Sequence, residues 1–311
     1  MDIRQLRYFV SAVDEGSVTS AAHRLNISQP ALGLQIRKLE EELGSPLLTR
    51  HSRGVAPTTA GEKLYEHASL ILRQTERAVQ DIRDFDSPPS GRASIGLTPT
   101  ASLLLAASLV ERCRAELPNL AMRISDGHGD QNLALLSADR LDLALSYAKE
   151  DNRDIEFIPL ITEDLFLISR RSNDSDPDEN VPFSELAHAP LILPSRPNIL
   201  STLLEDAARS TGTPLEIMYE LDSMEPKKDM VMRGLGLTVL PYGSVQKEVA
   251  DGLLAARRIV KPELNRTLYL ARARQHPSSK ARDALEALVL RLVAGLCETE
   301  NWHWRLADPR I

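Results

Sequence analysis

A chain of 311 residues and 34.4 kDa has room for two or three domains. Its 42% hydrophobic and 26% charged residues exclude a disordered or collagen-like chain, and no apolar run approaches the ~20 residues that cross a bilayer. The net charge of −7 argues against a nonspecific nucleic-acid binder, yet residues 1–60 hold seven Arg and Lys against six Asp and Glu and are weakly basic. The opening Met1-Asp2-Ile3-Arg4-Gln5 lacks the basic-then-apolar pattern of a secretory signal. Cys113 and Cys297 have neither disulfide-framework nor zinc-ligand spacing. A soluble cytoplasmic protein with no membrane partner, no metal and no cofactor is expected.

The first ninety residues read as nearly all helix. Leu6, Phe9, Val10 and Val13 recur at helical spacing, and Asp14-Glu15-Gly16 stops the pattern. Ser17 caps a short second helix that ends at Asn26; Ser28 caps a third, with Gln29 and Pro30 in its first turn. Ala31, Leu32, Ile36, Leu39 and Leu43 form the buried stripe of that third helix, and Gly44 stops it. A short helix, a tight turn and a capped helix make a helix-turn-helix. Two short segments meeting near Ser52-Arg53-Gly54 suit a small β wing. From Thr59 a long helix begins. Its positions Leu64, Ala68, Ile71, Thr75, Ala78, Ile82 and Phe85 step by four and three, which keeps one seam toward a partner helix. The alternative is packing on its own domain, but no comparable apolar partner lies nearby in sequence. Ser87-Pro88-Pro89-Ser90-Gly91 then reads as a hinge.

Beyond the hinge, strands and helices alternate, which implies a parallel sheet flanked by helices. Strands are expected at 93–97, 121–125, 141–146, 191–193, 216–221, 237–240 and 267–271, and helices at 102–116, 131–138, 199–211, 224–233 and 278–296. Residues 155–169 form a long extended segment, and 173–180 an acidic polar loop. This order fits two α/β lobes with crossovers and a cleft between facing strand ends. The tail around Trp302, His303 and Trp304 has no assigned place.

The runs Gly16-Ser17-Val18-Thr19-Ser20-Ala21-Ala22, Leu25-Asn26-Ile27-Ser28-Gln29-Pro30-Ala31-Leu32 and Gln35-Ile36-Arg37-Lys38-Leu39-Glu40 resemble the LysR-type transcriptional regulators. Leu43-Gly44, Pro46-Leu47-Leu48, Arg50, Arg53-Gly54 and Thr58-Thr59-Ala60-Gly61 continue the resemblance. So do Leu141-Asp142-Leu143-Ala144-Leu145 and Gly234-Leu235-Gly236-Leu237-Thr238-Val239-Leu240-Pro241. Within the family, Gly54-Val55-Ala56-Pro57 and Ser94-Ile95-Gly96-Leu97 resemble the nitrogen-assimilation-control branch. The resemblance implies an α/β protein in three parts: a winged helix-turn-helix over 1–58, a dimerising linker helix and hinge over 59–91, and a two-lobed effector domain of periplasmic-binding-protein type over 92–311. Lobe I is expected at about 92–161 and 267–300, and lobe II at about 162–266. It further implies double-stranded promoter DNA and a small, anionic effector as partners, a homotetramer built from homodimers, and RNA polymerase as a possible contact. One departure stands out. The family usually carries Ser or Thr and then a polar residue after Ala31-Leu32, where this chain has Gly33 and Leu34.

The DNA-contacting candidates are Ser28, Gln29, Pro30, Leu32, Gly33, Gln35 and Arg37 on the third helix, with Arg50 and Arg53 on the wing. Gln can make paired hydrogen bonds to adenine in the major groove, and Arg suits phosphates or a narrow minor groove. Arg37 and Lys38 can also simply pair with Glu41 and Glu42. The effector candidates are Thr98, Thr100, Ala101 and Ser102, His128, Tyr147, then Ser195 and Arg196, and Ser223. Free N–H groups at helix starts suit a carboxylate or phosphate, and Arg196 offers a bidentate fork. Thr100 and Ser102 read equally as caps and Arg196 equally as an interlobe ion pair, while Ser223 reads more as a cap than as a contact. No metalloprotease, nucleophile-elbow or P-loop pattern appears, so an enzyme is not expected. The alternatives are a constitutive regulator without an effector and a cytoplasmic solute-binding module.

Overall fold

The computed structural model describes residues 1–51, 54–83, 87–172, 180–274 and 278–307. The wing tip Ser52-Arg53, Phe85 and most of the expected acidic loop lie outside the described residues. The chain forms two compact units, Met1–Pro88 and Pro89–Ile311.

In the first unit, α1 (Ile3–Asp14), α2 (Val18–Arg24) and α3 (Gln29–Leu43) precede a hairpin of β1 (Leu48–His51) and β2 (Gly54–Pro57), and then α4 (Thr59–Arg83). The caps explain the helix boundaries. Ser17 Oγ accepts from Ser20 N at 3.3 Å and Ser28 Oγ from Ala31 N at 3.4 Å, while Gly44 closes α3 in the left-handed region. Ala12, Ala21, Ala22, Leu32 and Ile36 form one apolar cluster, and Phe9, Leu39 and Leu47 another. Gly54 has to be glycine: a Cβ there would lie 2.1 Å from Gly16 O, and the close approach lets Val55 N donate to Gly16 O at 2.8 Å. That bond ties the wing to the turn before α2.

Helix α4 has two faces in use. Leu64, Ala68 and Leu72 pack on Leu6 and Val10 of α1, so the first half of the expected seam serves this unit's own core. Ile71, Val79 and Ile82 remain exposed, Ile82 at 76%.

The second unit is built from β3 (Gly91–Leu97), α5 (Pro99–Glu116), β4 (Leu120–Asp126), α6 (Gly129–Ser137), β5 (Leu143–Ser146), β6 (Ile155–Arg170), β7 (Val181–Pro182), β8 (Pro190–Leu193), α7 (Ile199–Thr211), β9 (Glu216–Glu220), α8 (Met224–Met232), β10 (Thr238–Pro241), α9 (Gln246–Ala250), β11 (Leu254–Val260), β12 (Asn265–Ala273), α10 (Lys280–Thr299) and β13 (Trp304–Leu306). The main sheet runs β4-β3-β5-β12-β6-β11-β7, with β10 and β13 also on β6, and β8 pairs β9 in a separate ribbon. Strand β6 links the two lobes. Its first part pairs β12 as far as Asp164, and from Leu165 to Arg170 it pairs β10 and β11. Separate apolar cores lie on either side of that crossover, one around Leu105, Leu145, Leu268 and Leu288, the other around Phe183, Leu191, Leu204 and Ile259.

Strand β11 was not expected, because Arg257 and Arg258 interrupt its apolar run; Arg258 is held by Asp164 at 2.9 Å. The tail finds its place as well. Trp302 and Trp304 are buried in the lobe I core, and β13 pairs β6.

Candidate functional site

A cavity of about 290 Å³ lies between the two lobes. Four helix starts line it: Thr98, Pro99 and Thr100 at α5, His128 and Gly129 at α6, Asn198 to Leu200 at α7, and Met224 and Lys227 at α8. Each brings free backbone N–H groups and the positive end of a helix dipole, a setting for an anion. Thr98 and Asn198 are caps, accepting from Ala101 N at 3.4 Å and Leu200 N at 2.9 Å.

Arg266 of β12 forms the floor. Its Nε donates to Glu163 Oε1 at 2.7 Å, its Nη2 lies 3.4 Å from Thr100 Oγ1, and its Cζ sits 3.6 Å over the centre of the Tyr147 ring. Burial works against this charge, yet Tyr147 and Glu163 beside it hold the Arg266 pKa above its ordinary value. Glu163 is fully buried and accepts a second bond from Trp304 Nε1 at 2.9 Å. Burial also pushes the Tyr147 hydroxyl pKa up, with Arg266 beside it opposing the shift.

Lys227 is different. It is 3% exposed and has no ion pair among the described residues. Burial lowers its pKa to about 8, with Asp222 opposing the shift and Arg266 adding to it. The neighbouring Lys228 is satisfied by Glu225 and Glu248 at 2.8 and 2.6 Å. The carboxylates lining the cavity, Asp130 and Asp222, are themselves exposed.

Of the effector candidates, Thr98, Thr100, His128 and Tyr147 line this cavity. Ala101 is buried in the lobe I core and offers only its N–H, already bonded to Thr98. Ser102 lies one turn into α5, off the lining. Ser195 N donates to Asp222 Oδ1 at 2.8 Å, and Arg196, 72% exposed on its side chain, pairs with Glu205 instead of pointing inward. Ser223 is an exposed N-cap residue without a side-chain cap bond. Sequence reasoning missed Lys227, Arg266 and Glu163.

On the first unit, Ser28, Gln29, Pro30 and Arg37 are exposed along α3, and Gln35 is half-buried. Arg50 is exposed on β1. Leu32 is a correction: at 0% exposure it belongs to the core and its side chain reaches no surface. Gly33 has only backbone, and little of that is exposed.

A winged helix-turn-helix stands on the same chain as a two-lobed domain whose cleft is lined by Lys227 and Arg266 beside Asp130 and Asp222, the arrangement of a DNA-binding protein with a small-molecule cleft. Comparison with known proteins gives the family. Residues 3–62 match the bacterial regulatory helix-turn-helix protein of the lysR family, and residues 86–292 match the LysR substrate binding domain. The chain is 34% identical to the nitrogen assimilation regulatory protein nac of Klebsiella aerogenes over 297 residues, covering 94% of this chain and 96% of that one. It is 31% identical to the DNA-binding transcriptional dual regulator OxyR of Escherichia coli, covering 93% of each. A full-length OxyR variant from Pseudomonas aeruginosa shares the fold, with a TM-score of 0.72 at 22% identity over 94% of each chain. The chain belongs to the LysR family and is a DNA-binding transcriptional regulator with an effector-binding domain. No helix among the described residues is long and apolar enough to cross a membrane.

Proposed function

We propose that this regulator responds to a small anionic metabolite, bound in the interlobe cleft with Lys227 as its counter-charge. Lys227 carries the reading: a buried ammonium with no ion pair among the described residues, and only the exposed Asp222 acting on it from nearby, is costly unless a ligand supplies the anion. Arg266 is already neutralised by Glu163, so the pair orients a ligand more than it adds charge. The four helix starts and Thr98, Thr100, His128, Asn198 and Thr202 supply hydrogen bonds. Helix α3 enters the major groove through Ser28, Gln29, Gln35 and Arg37, and Arg50 meets phosphate. The exposed Ile71, Val79 and Ile82 of α4 form a seam with a second copy, and the fully exposed strand β9, with Ile217, Met218 and Tyr219, provides a further self-contact toward a tetramer. No catalytic step is assigned.

The reading does not extend to thiol chemistry at either cysteine. Burial raises the Cys113 pKa, and burial with Glu298 pushes Cys297 to about 11, so both favour the thiol over the thiolate.

The test is thermal unfolding of the full chain at pH 7 with a panel of small mono- and dicarboxylates, since a native-state ligand raises Tm by mass action. At least one should raise Tm and alter DNA affinity. A panel that leaves both unchanged would favour the constitutive regulator.

A further inference from the structure

We propose that Leu34, with Gly33 beside it, reads the 5-methyl group of thymine in the major groove. At about 100° per residue, Leu34 lies roughly 170° from the mean direction of Leu32, Ile36 and Leu39, the side chains that fix α3 in the core. It therefore points away from the core, a bearing it shares with the exposed Glu41 two turns on. Leu34 is 49% exposed and packs into neither apolar cluster of the helix-turn-helix. Pro30 and Ala31 flank it one turn earlier, both exposed, and the exposed Arg37 and Lys38 follow one turn later. The first half of the outward face is thus apolar at its centre, with cations one turn on and the exposed Glu41 beyond them.

Gly33 adds an independent observation. A Cβ built there would meet nothing within 4 Å, so packing within the protein does not demand glycine. Glycine inside a helix lowers stability, and its compensating use is room beside Leu34 for another molecule. The floor of the major groove presents hydrogen-bonding groups and one apolar group, the thymine methyl. An apolar side chain on the outward face of a groove-entering helix, with no side chain on the residue before it, matches that methyl.

The inference rests on α3 being the helix that enters the groove, and the experiment separates the two. The full chain selects a duplex from a random-sequence library, and thymines in that duplex are replaced singly by deoxyuridine, which removes only the methyl. Wild-type protein should lose about fourfold in affinity at one thymine per half-site. Leu34→Ala should lose a similar factor on the parent duplex and no longer distinguish thymine from uracil there. The inference is overturned if every deoxyuridine duplex binds like the parent, or if Leu34→Ala keeps the full discrimination. If Gln29→Ala abolishes the selected preference while uracil is neutral, α3 enters the groove but Leu34 does not read it. If no duplex is enriched, the groove reading and this inference fall together.

Discussion

Replacing Lys227 by Met should stabilise the second unit while removing its response to anions. Burial lowers the Lys227 pKa from 10.5 to about 8, and at 1.36 kcal/mol per pKa unit that corresponds to roughly 3 kcal/mol of native-state destabilisation at pH 7. Methionine keeps most of the stem and removes the charge. For a unit of this size, the change amounts to a rise in Tm of roughly 6–12 °C. The pH dependence carries the sign. Between about 8 and 10.5 the unfolded chain binds more protons than the native one, so wild-type stability rises with pH across that window and is lowest below it. In Lys227→Met this rise should vanish. An anion that pairs with Lys227 prefers the protonated form, so wild-type affinity should fall as pH passes about 8. Scanning calorimetry from pH 7 to 10.5, with and without the carboxylate found in the Tm panel, reads all three quantities. A Lys227→Met protein that melts lower than wild type at pH 7, or that binds the carboxylate equally well, would refute the reasoning.

Gly33→Ala should stabilise α3 by about 0.5–1 kcal/mol, visible as a higher melting temperature of the helix-turn-helix unit, while weakening DNA binding because the new methyl obstructs close approach; improved stability with unchanged affinity would remove that role. Ile82→Arg should reduce self-association measured by light scattering without lowering the melting temperature, because Ile82 is 76% exposed; a variant that melts early would show that Ile82 serves its own chain's fold instead. Trp304→Phe removes the indole donor to the buried Glu163 and should cost about 1.5–3 kcal/mol, the range for a hydrogen bond to a charged group. By loosening the Glu163–Arg266 pair it should also weaken carboxylate binding in titration calorimetry.

What the sequence disclosed depended on the range of the interactions involved. Ser17, Ser28 and Gly44 act within one helical turn, so the helix-turn-helix and its boundaries were legible from spacing and caps. Most strands of the second unit were legible for the same reason, since apolar runs between turn residues are local signals. The cleft's charges were not. Lys227 and Lys228 read alike in sequence, yet one is paired with Glu248, twenty residues on, and the other is buried facing the cavity. Arg266 sat just outside the strand expected at 267–271, and its partner Glu163 is 103 residues away. Arg196 looked the better carboxylate fork but found Glu205 on the adjoining helix. The paired tryptophans of the tail were the one available hint of a buried strand. Trp302 and Trp304 are the chain's only two Trp, and an aromatic concentration of that kind is unusual in a solvated terminus.

The location of these groups explains how a bound anion can alter a regulator. A ligand shifts an equilibrium only by binding one arrangement better than another. Thr98, Thr100, Tyr147 and Arg266 stand on elements of one lobe, while Asn198, Thr202 and Lys227 stand on the other. The main crossings between the two lobes are β6 at Asp164–Leu165 and the turn leading into β12. Asp164 itself is tied to Arg258 of β11 and to Arg305 of β13, the latter through two bonds at 2.9 and 2.6 Å. An anion reaching Lys227 from one side and the α5 helix start from the other makes its full set of contacts only when the lobes are at one separation. On the proposed reading its binding free energy would depend on lobe separation, which would make lobe separation the coordinate on which the effector acts.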